Sequence, residues 1–256
     1  MTHADMILET KGLTRQFNGF TAVKGIDLRV RRGAIHALIG PNGAGKTTCF
    51  NLLTKFLTPT SGQIFFDGRE ITRAAPAAIA RKGVIRSFQI SAVFPHLTPV
   101  ENVTIALQRP LGVSFRFWKS SVMLTRLRER ALDLLGEVGL AAYADVKTVE
   151  LSYGHKRALE IATTLAMDPV LMLLDEPTQG MGHEDVDRVT ALIKKVSSGR
   201  TILMVEHNMK MVSSIADTIT VLQRGEILAE GDYAAVSANP QVKEAYMGTD
   251  NESLAH

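Results

Sequence analysis

Apolar positions along the chain follow two spacings, and the change between them divides the sequence into three stretches. The first and last stretches hold short apolar runs bounded by turn-forming residues, which is typical of β-strands. Several of these runs lead into segments with helical spacing, so strands and helices are predicted to alternate there. The predicted strands cover residues 6–10, 25–30, 34–40, a pair within 61–71 closed around Asp67-Gly68, 84–89, 170–175, 201–207 and a hairpin across Arg224-Gly225.

The middle stretch, from about residue 97 to residue 167, changes to helical spacing and predicts a block of helices. In its last helix Ala158, Ile161 and Leu165 recur at three- and four-residue intervals, until Asp168-Pro169 ends the pattern. Strands that alternate with helices favour a mostly parallel sheet covered on both faces. The predicted class is therefore α/β, with an all-α block inserted between the early and the late strands.

The pattern continues without a repeat, a low-complexity tract or a flexible linker, so the sequence predicts one domain with lobes over residues 1–256. A core and a β lobe are expected at about 1–92 and 168–235. A helical lobe is expected at about 93–167, and a C-terminal tail at about 236–256.

Composition narrows the class of protein. Hydrophobic residues make up 45% of the 256 residues and charged residues 21%, which is ordinary for a globular chain. The single cysteine, Cys49, excludes an internal disulfide and is interpreted as a small buried residue. A net charge of +3 is too small to indicate nucleic acid, so no nucleic-acid partner is expected. The longest apolar runs are too short to cross a bilayer and no signal peptide is evident, so a cytosolic location is expected.

The segment GPNGAGKTT matches the phosphate-binding pattern G-x-x-x-x-G-K-[ST] and lies between a predicted strand and a predicted helix. Glycines allow the backbone N–H groups of such a loop to face phosphate oxygens, and the helix start adds its dipole. The lysine is expected to reach the terminal phosphates and the first threonine to bind Mg²⁺. A Gly-rich turn that matches by chance is the alternative. The candidate phosphate-binding residues are Gly40, Pro41, Asn42, Gly43, Ala44, Gly45, Lys46, Thr47 and Thr48.

An acidic pair follows the apolar run VLMLL, at the end of a strand predicted to be buried on both faces. Ligands gather at the carboxyl edge of a parallel sheet, so Asp175 is expected to organise Mg²⁺. Glu176 would then orient or deprotonate the attacking water. Without the phosphate-binding segment, a helix cap or a surface pair would be the better interpretation.

The segment LSYGHKR at residues 151–157 predicts a helix start, with Ser152 and Gly154 close to its free N–H groups. Such a start suits an anion, but a plain N-cap is the alternative interpretation.

Five features follow one another along the chain in the order GPNGAGKTT, Gln89, LSYGHKR, LMLLDEP and His207. This order resembles the nucleotide-binding subunit of ATP-binding-cassette (ABC) transporters over nearly the whole chain. The resemblance implies a P-loop NTPase core with a mostly parallel sheet, an N-terminal antiparallel β subdomain and an inserted α-helical subdomain. It implies ATP and Mg²⁺ as cofactors, and two subunits that close head to tail. Ser152 and Gly154 of one subunit would then bind the γ-phosphate of ATP held by the other.

Further roles rest on the same resemblance. Gln89 resembles the glutamine that senses Mg²⁺ and the water, which would make Thr47, Gln89 and Asp175 the metal-site residues. His207 resembles the histidine that contacts the γ-phosphate, although a strand-end histidine is usually a satisfied polar residue. Phe17 resembles the aromatic residue that stacks on adenine, with a place in the core as the alternative.

Three residues depart from the commonest family pattern. Tyr153 and His155 stand where Gly and Gln are commonest, in a variant that one importer branch tolerates. Gly182 stands where an acidic or amide side chain often couples the two ATP sites. This last departure puts the strength of coupling between the sites in question.

Three segments are most similar to the ATPases of branched-chain amino-acid uptake systems: RSFQISAVFPHLTPVENV, MVEHNM and the tail EILAEGDYAAVSANPQVKEAYMG. Close relatives of those uptake systems transport urea and short amides. The implied partners are two membrane-spanning permease subunits, a second ABC ATPase subunit of the same or a homologous chain, and indirectly a periplasmic or extracellular solute-binding protein. The implied location is peripheral, on the cytoplasmic face of the inner membrane.

The basic and aromatic segment 109–130 favours equally a membrane-facing surface and a solvated helix. Three other functions are the alternatives to a transporter of this kind. A soluble ABC ATPase acting on DNA or ribosomes usually has paired cassettes or coiled coils, which this chain lacks. A P-loop kinase would need an acceptor pocket and would have no use for LSYGHKR. A lipopolysaccharide-type exporter ATPase is similar in size and motifs, and the tail and the signature variant weigh against it.

Overall fold

The computed structural model describes residues 5–87, 93–109 and 121–252, which form two β-sheets and the helices around them. The strands are β1 (Met6–Phe17), β2 (Phe20–Ile26), β3 (Arg29–Arg31), β4 (Ile35–Ile39), β5 (Ser61–Phe66), β6 (Arg69–Glu70), β7 (Val84–Ser87), β8 (Leu171–Asp175), β9 (Thr201–Val205), β10 (Thr218–Gln223) and β11 (Glu226–Gly231). The α-helices are α1 (Lys46–Leu53), α2 (Pro76–Ala80), α3 (Pro99–Gln108), α4 (Ser121–Glu137), α5 (Tyr153–Leu165), α6 (His183–Val196), α7 (Met209–Ile215), α8 (Tyr233–Ala238) and α9 (Pro240–Glu252).

The larger sheet has the strand order β11-β10-β4-β9-β8-β7, and every pair in it except β10–β11 is parallel. All five residues of β4 and all five of β9 are buried, because helices cover both faces of a sheet of this kind. Asp175 lies level with Val205 at the carboxyl edge. The predicted mostly parallel sheet is confirmed, and it brings the ends of β4, β8 and β9 together.

The second sheet is antiparallel, with the order β2-β1-β5-β6 and β3 paired to β1. The predicted strand 25–30 was wrong in its bounds, because it is divided between β2 and β3. The Thr10 hydroxyl donates to the Ile26 carbonyl oxygen at 2.7 Å and accepts from the Leu28 N–H at 2.8 Å. These two bonds replace regular pairing at the division. The strand predicted at 6–10 continues to Phe17.

The helices α3, α4 and α5 follow β7 and precede β8 in the chain, as the inserted helical block was predicted to do. Their apolar faces pack together with one face of the larger sheet, through Val103, Leu134 and Leu159 among others. The opposite face of that sheet packs on α1 and the second sheet, where Phe50 and Cys49 are fully buried. Burial raises the pKa of the Cys49 thiol to about 12, so this residue is an inert part of the core.

Helix α1 ends earlier than the predicted segment 46–57, because Lys55 adopts a left-handed backbone conformation with φ 64° just after it. Along the described ranges, none of the helices combines the length and the apolar character that crossing a bilayer requires.

A buried histidine gives the fold a dependence on pH. His36 lies in β4, and its Nε2 is 2.8 Å from Oγ1 of Thr220. The Thr220 hydroxyl donates to Glu230 at 2.6 Å, so its oxygen accepts from the N–H of a neutral His36 ring. Burial lowers the pKa of His36 from 6.5 to about 4.

We expect the free energy of unfolding to fall as the pH drops from about 6.5 to about 4. In that window the unfolded chain protonates His36 and the folded chain does not, which costs the folded state at most about 3 kcal/mol. The free energy of unfolding, measured with urea at pH 7 and at pH 5, should therefore change less between the two pH values in His36→Gln than in the parent chain. Equal pH dependence in both proteins would contradict this assignment.

Candidate functional site

The phosphate-binding segment forms a tight loop between β4 and α1. Gly40, Gly43 and Gly45 all have positive φ, at 149°, 77° and 100°. A Cβ on Gly40 would overlap the Leu222 carbonyl oxygen, and a Cβ on Gly45 would overlap that of Ala22. Glycine is therefore required at both positions by backbone conformation and by space. The loop is held between the end of β10 and β2, with the start of α1 at its end.

Lys46 is the first residue of α1 and is only 8% exposed. Its ammonium group donates to the carbonyl oxygens of Gly40 at 2.7 Å and Pro41 at 3.0 Å. Burial lowers its pKa, and the nearby charge of Glu176 partly opposes that effect. The ammonium therefore lies over the loop as a charge able to meet an anion, while Thr47 is exposed beside it.

Asp175 ends β8, and its carboxylate forms an ion pair with Arg86 of the neighbouring strand β7. The other guanidinium nitrogen of Arg86 donates to Oδ1 of Asn51 at 2.7 Å. The guanidinium also lies 5.9 Å and 5.7 Å from the ring centres of Phe50 and Phe56. Sequence reasoning missed Arg86, although a basic residue within the apolar strand VIRS was a usable signal.

Glu176 follows directly and has φ 44°, a left-handed conformation that non-glycine residues rarely adopt. Its N–H donates to the Val205 carbonyl oxygen at 2.9 Å, which continues the pairing of β8 with β9 past the end of β8. The chain turns there, so that Asp175 and Glu176 lie at the same sheet edge as the phosphate-binding loop.

Glu206 joins the segments that follow β8 and β9, and sequence reasoning did not identify it. Its side chain is fully buried and accepts from the N–H of Thr178 at 3.0 Å, that of His207 at 2.8 Å and that of Asn208 at 2.9 Å. The Thr178 hydroxyl donates to it as well. These bonds satisfy a buried carboxylate and fix the backbone at His207, whose side chain is 58% exposed. An acidic residue directly after the apolar strand TILMV was the signal available in the sequence.

The start of α5 shows that the N-cap interpretation of LSYGHKR is correct, since the Ser152 hydroxyl accepts from the His155 N–H at 3.3 Å. Capping does not exclude a second role for Ser152. A Cβ on Gly154 would lie 2.7 Å from Oδ1 of Asp185, so the start of α5 approaches the start of α6 closely. The Tyr153 hydroxyl donates to the Gln179 carbonyl oxygen at 3.1 Å. Both contacts hold the start of α5 against the segment after Glu176.

Phe17, at the end of β1, is 38% exposed, so the alternative that places it in the core is wrong. The guanidinium of Arg15 lies 4.5 Å from the centre of its ring, which presents a flat surface beside a cation. Gln89 lies outside the described residues, as does half of the basic and aromatic segment 109–130, residues 110–120.

Tyr246 connects the C-terminal helix α9 to the phosphate-binding loop, a contact that the sequence did not indicate. Burial raises the pKa of its phenol to about 12, and the nearby backbone of Gly40 opposes that effect. The tail therefore packs on the first glycine of the loop.

A family model described as ABC transporter matches residues 23–179. The chain belongs to the ABC transporter family. A second model, described as branched-chain amino acid ATP-binding cassette transporter, matches residues 226–252. ABC transporter ATPases bind ATP and couple its hydrolysis to transport, so the resemblance predicted from the motifs is confirmed.

Similar ABC proteins also belong to branched-chain amino acid transport. The chain is 42% identical to the high-affinity branched-chain amino acid transport ATP-binding protein BraF of Pseudomonas aeruginosa, over 94% of this chain and 98% of that protein. It is 36% identical to the corresponding protein LivG of Escherichia coli K12, with the same coverage.

Solved structures confirm the fold class. The ADP conformation of an ATP-binding cassette of an ABC transporter is similar with a TM-score of 0.84 and 30% identity, over 95% of this chain and 99% of that one. A dimeric post-hydrolysis cassette bound to ADP and Pi has a TM-score of 0.72 and 26% identity, over 88% and 98%. The predicted P-loop ABC ATPase architecture is therefore correct.

We expect Lys46→Ala to remove most ATP binding and hydrolysis. One hydrogen bond to a charged group contributes about 1.5–3 kcal/mol, so the affinity should fall at least about tenfold. Titration with a fluorescent ATP analogue would measure this. Lys82→Ala, at an exposed lysine before β7, is the matched control. Unchanged affinity in Lys46→Ala would contradict the proposed role of the loop.

Proposed function

We propose that the chain is the ATP-hydrolysing subunit of an ABC importer, which energises uptake of branched-chain amino acids or related small polar solutes such as urea and amides. One observation carries this proposal: the phosphate-binding loop, Asp175 and Glu176 lie at the same edge of the larger sheet. The chain that holds them is similar to BraF and LivG along nearly its whole length. The whole chain acts as one ABC ATPase domain, with its lobes bounded as the sequence predicts.

The substrate is ATP, and the loop from Gly40 to Thr48 binds its phosphates. Backbone N–H groups and the start of α1 face the phosphate oxygens, and Lys46 exchanges its contacts with loop carbonyls for contacts with the terminal phosphates. Phe17 stacks on the adenine. Its exposure and its position beside Arg15 support this role.

Mg²⁺ is the proposed metal cofactor, and the residues at the site fit it. Mg²⁺ is commonly held by one or two carboxylates together with substrate phosphates and waters. Asp175 and Thr47, with Gln89, supply a carboxylate, a hydroxyl and an amide oxygen, all hard oxygen donors. Within the described residues there is no cluster of three or more His, Cys, Asp or Glu that would bind a metal unaided. When bound, Mg²⁺ neutralises phosphate charge.

Hydrolysis needs a positioned water and stabilisation of the charge that develops on the phosphoryl group. Glu176 orients or deprotonates the water. Lys46 and His207 stabilise the transition-state charge, and Gln89 responds to Mg²⁺ and the water. The exposure of His207, combined with the fixed backbone behind it, supports its role.

A second ABC ATPase, of the same or a homologous chain, completes the site. Ser152 and the backbone at Gly154 contact the γ-phosphate of ATP that the partner subunit's loop holds. The dimeric arrangement of the similar post-hydrolysis cassette supports this pairing. Two ATP molecules then favour the closed dimer, because only the triphosphate contacts both subunits. Hydrolysis reopens it.

Two membrane-spanning permease subunits receive this movement, which makes the chain peripheral on the cytoplasmic face of the inner membrane. A solute-binding protein delivers the solute to them. A mostly apolar cavity of about 290 Å³ supports the docking of a membrane subunit. Its lining comes from the segment after α1, from α2, β7 and the helical block, and includes Phe56, Ala77, Ile85, Arg86, Arg109 and Met167.

Glu176→Gln is expected to bind ATP normally, hydrolyse it at least about a hundredfold more slowly and accumulate as a closed dimer, because the amide accepts no proton from the water. Size-exclusion chromatography with ATP and release of phosphate would measure both effects. Turnover at the parent rate would contradict the assignment of Glu176 as the base.

We expect the chain, tagged and purified from its native membranes in mild detergent, to bring with it two polytopic membrane proteins and a second ABC ATPase. Ala77→Arg should reduce recovery of the membrane proteins without changing ATP binding, because it places a charge in the apolar cavity. Ala142→Arg, at an exposed alanine in the helical block, is the control. Recovery of ribosomal or DNA-associated proteins alone would contradict the transporter function.

A further inference from the structure

The backbone at Glu176 is held in a conformation that its own sequence disfavours. Its φ of 44° lies in the left-handed region, where a side chain crowds the following carbonyl. The next residue is Pro177, which restricts the residue before it to extended conformations. Neighbouring contacts must therefore maintain this geometry, and any group that maintains it determines where the Glu176 carboxylate points.

One side chain binds the backbone on both sides of Glu176. Nε of Arg157 donates to the Pro177 carbonyl oxygen at 3.1 Å, and one of its terminal nitrogens donates to the Asp175 carbonyl oxygen at 3.2 Å. The guanidinium is planar and rigid, so two bonds from it fix the relative positions of the two acceptors. These acceptors are the carbonyls that flank Glu176.

Arg157 is itself held in place by Glu160, one turn further along α5. The two side chains form an ion pair and are 6% and 2% exposed. Burial raises the pKa of Glu160, and Arg157 opposes that effect. Among the described residues, the second carboxylate oxygen of Glu160 has no hydrogen-bond partner. A buried pair of this kind contributes little stability compared with apolar residues of similar volume.

The helix that carries Arg157 begins at Ser152 and contacts the segment after Glu176 at further points. Tyr153 donates to the Gln179 carbonyl, and Gly154 lies against Asp185. Gly182, in the same segment, has no side chain with which to couple one ATP site to the other. Arg157 connects α5 to the carbonyl groups of the residues on both sides of Glu176.

We infer that Arg157 is a positioning residue, which holds Glu176 in its left-handed conformation and transmits the position of α5 to it. The inference rests on the proposed function, in which Ser152 at the start of α5 contacts ATP on the second subunit. Binding of the second subunit's ATP fixes the position of α5. Through Arg157, α5 then fixes Glu176, which acts on the water beside the ATP of its own subunit.

A kinetic test compares Arg157→Lys with the parent chain under single-turnover conditions. Lysine keeps the charge next to Glu160, but its single nitrogen cannot hold both carbonyls in a fixed geometry. The hydrolysis rate should fall about tenfold, and the ATP concentration for half saturation should stay within about twofold of the parent. Arg130→Lys is the matched control, because Arg130 forms an exposed pair with Asp133 at the same three-residue spacing. An unchanged rate in Arg157→Lys would overturn the inference.

A second test uses unfolding in urea and does not depend on activity. Arg157→Lys is made in the parent chain and in a chain carrying Glu176→Gly, since glycine adopts positive φ without strain. Less than about half of the stability loss should remain in the Glu176→Gly background. An equal loss in both backgrounds would make Arg157 a packing residue and overturn the inference. A parent chain that does not hydrolyse ATP would instead contradict the proposed function, and the unfolding comparison would still be readable.

Discussion

The parallel pairing of β4, β9 and β8 is the constraint on which the site depends. Because parallel strands end at the same edge, pairing Leu38 with Val205 and Val205 with Asp175 brings three segments of distant sequence together. The phosphate-binding loop leaves β4, the Asp175-Glu176 pair leaves β8, and Glu206 and His207 leave β9. A shift of one residue in either pairing would reverse the faces of the strand and separate these groups.

Buried charges then fix what the sheet brings together. Glu206 binds the backbone of two loops, Arg157 binds the backbone around Glu176, and Arg86 pairs with Asp175. Each of these side chains gives up solvation that water would otherwise supply, so each is costly unless its partners are well placed. The geometry at the sheet edge is therefore maintained by polar contacts, whereas the apolar core determines the fold beneath it.

The sequence was sufficient for the fold class and for the residues within local motifs. The loop at 40–48 is a contiguous pattern, and the alternation of strands and helices is a periodic one, so neither requires knowledge of distant contacts. Arg86, Glu206, Arg157 and Tyr246 were missed because their importance comes from partners many positions away. The division of the strand at 25–30 was missed for the same reason, since the Thr10 hydroxyl that replaces its regular pairing lies in another strand.

Arg86 shows how closely the proposed docking surface and the hydrolytic site are connected. Arg86 lines the cavity between α2, β7 and the helical block, and its guanidinium pairs with Asp175. A partner that fills the cavity therefore contacts a side chain that reaches the proposed metal ligand directly. The rings of Phe50 and Phe56 lie on the same guanidinium, 5.9 Å and 5.7 Å from it. The proposed docking surface and the sheet edge proposed to bind Mg²⁺ are thus connected through one side chain.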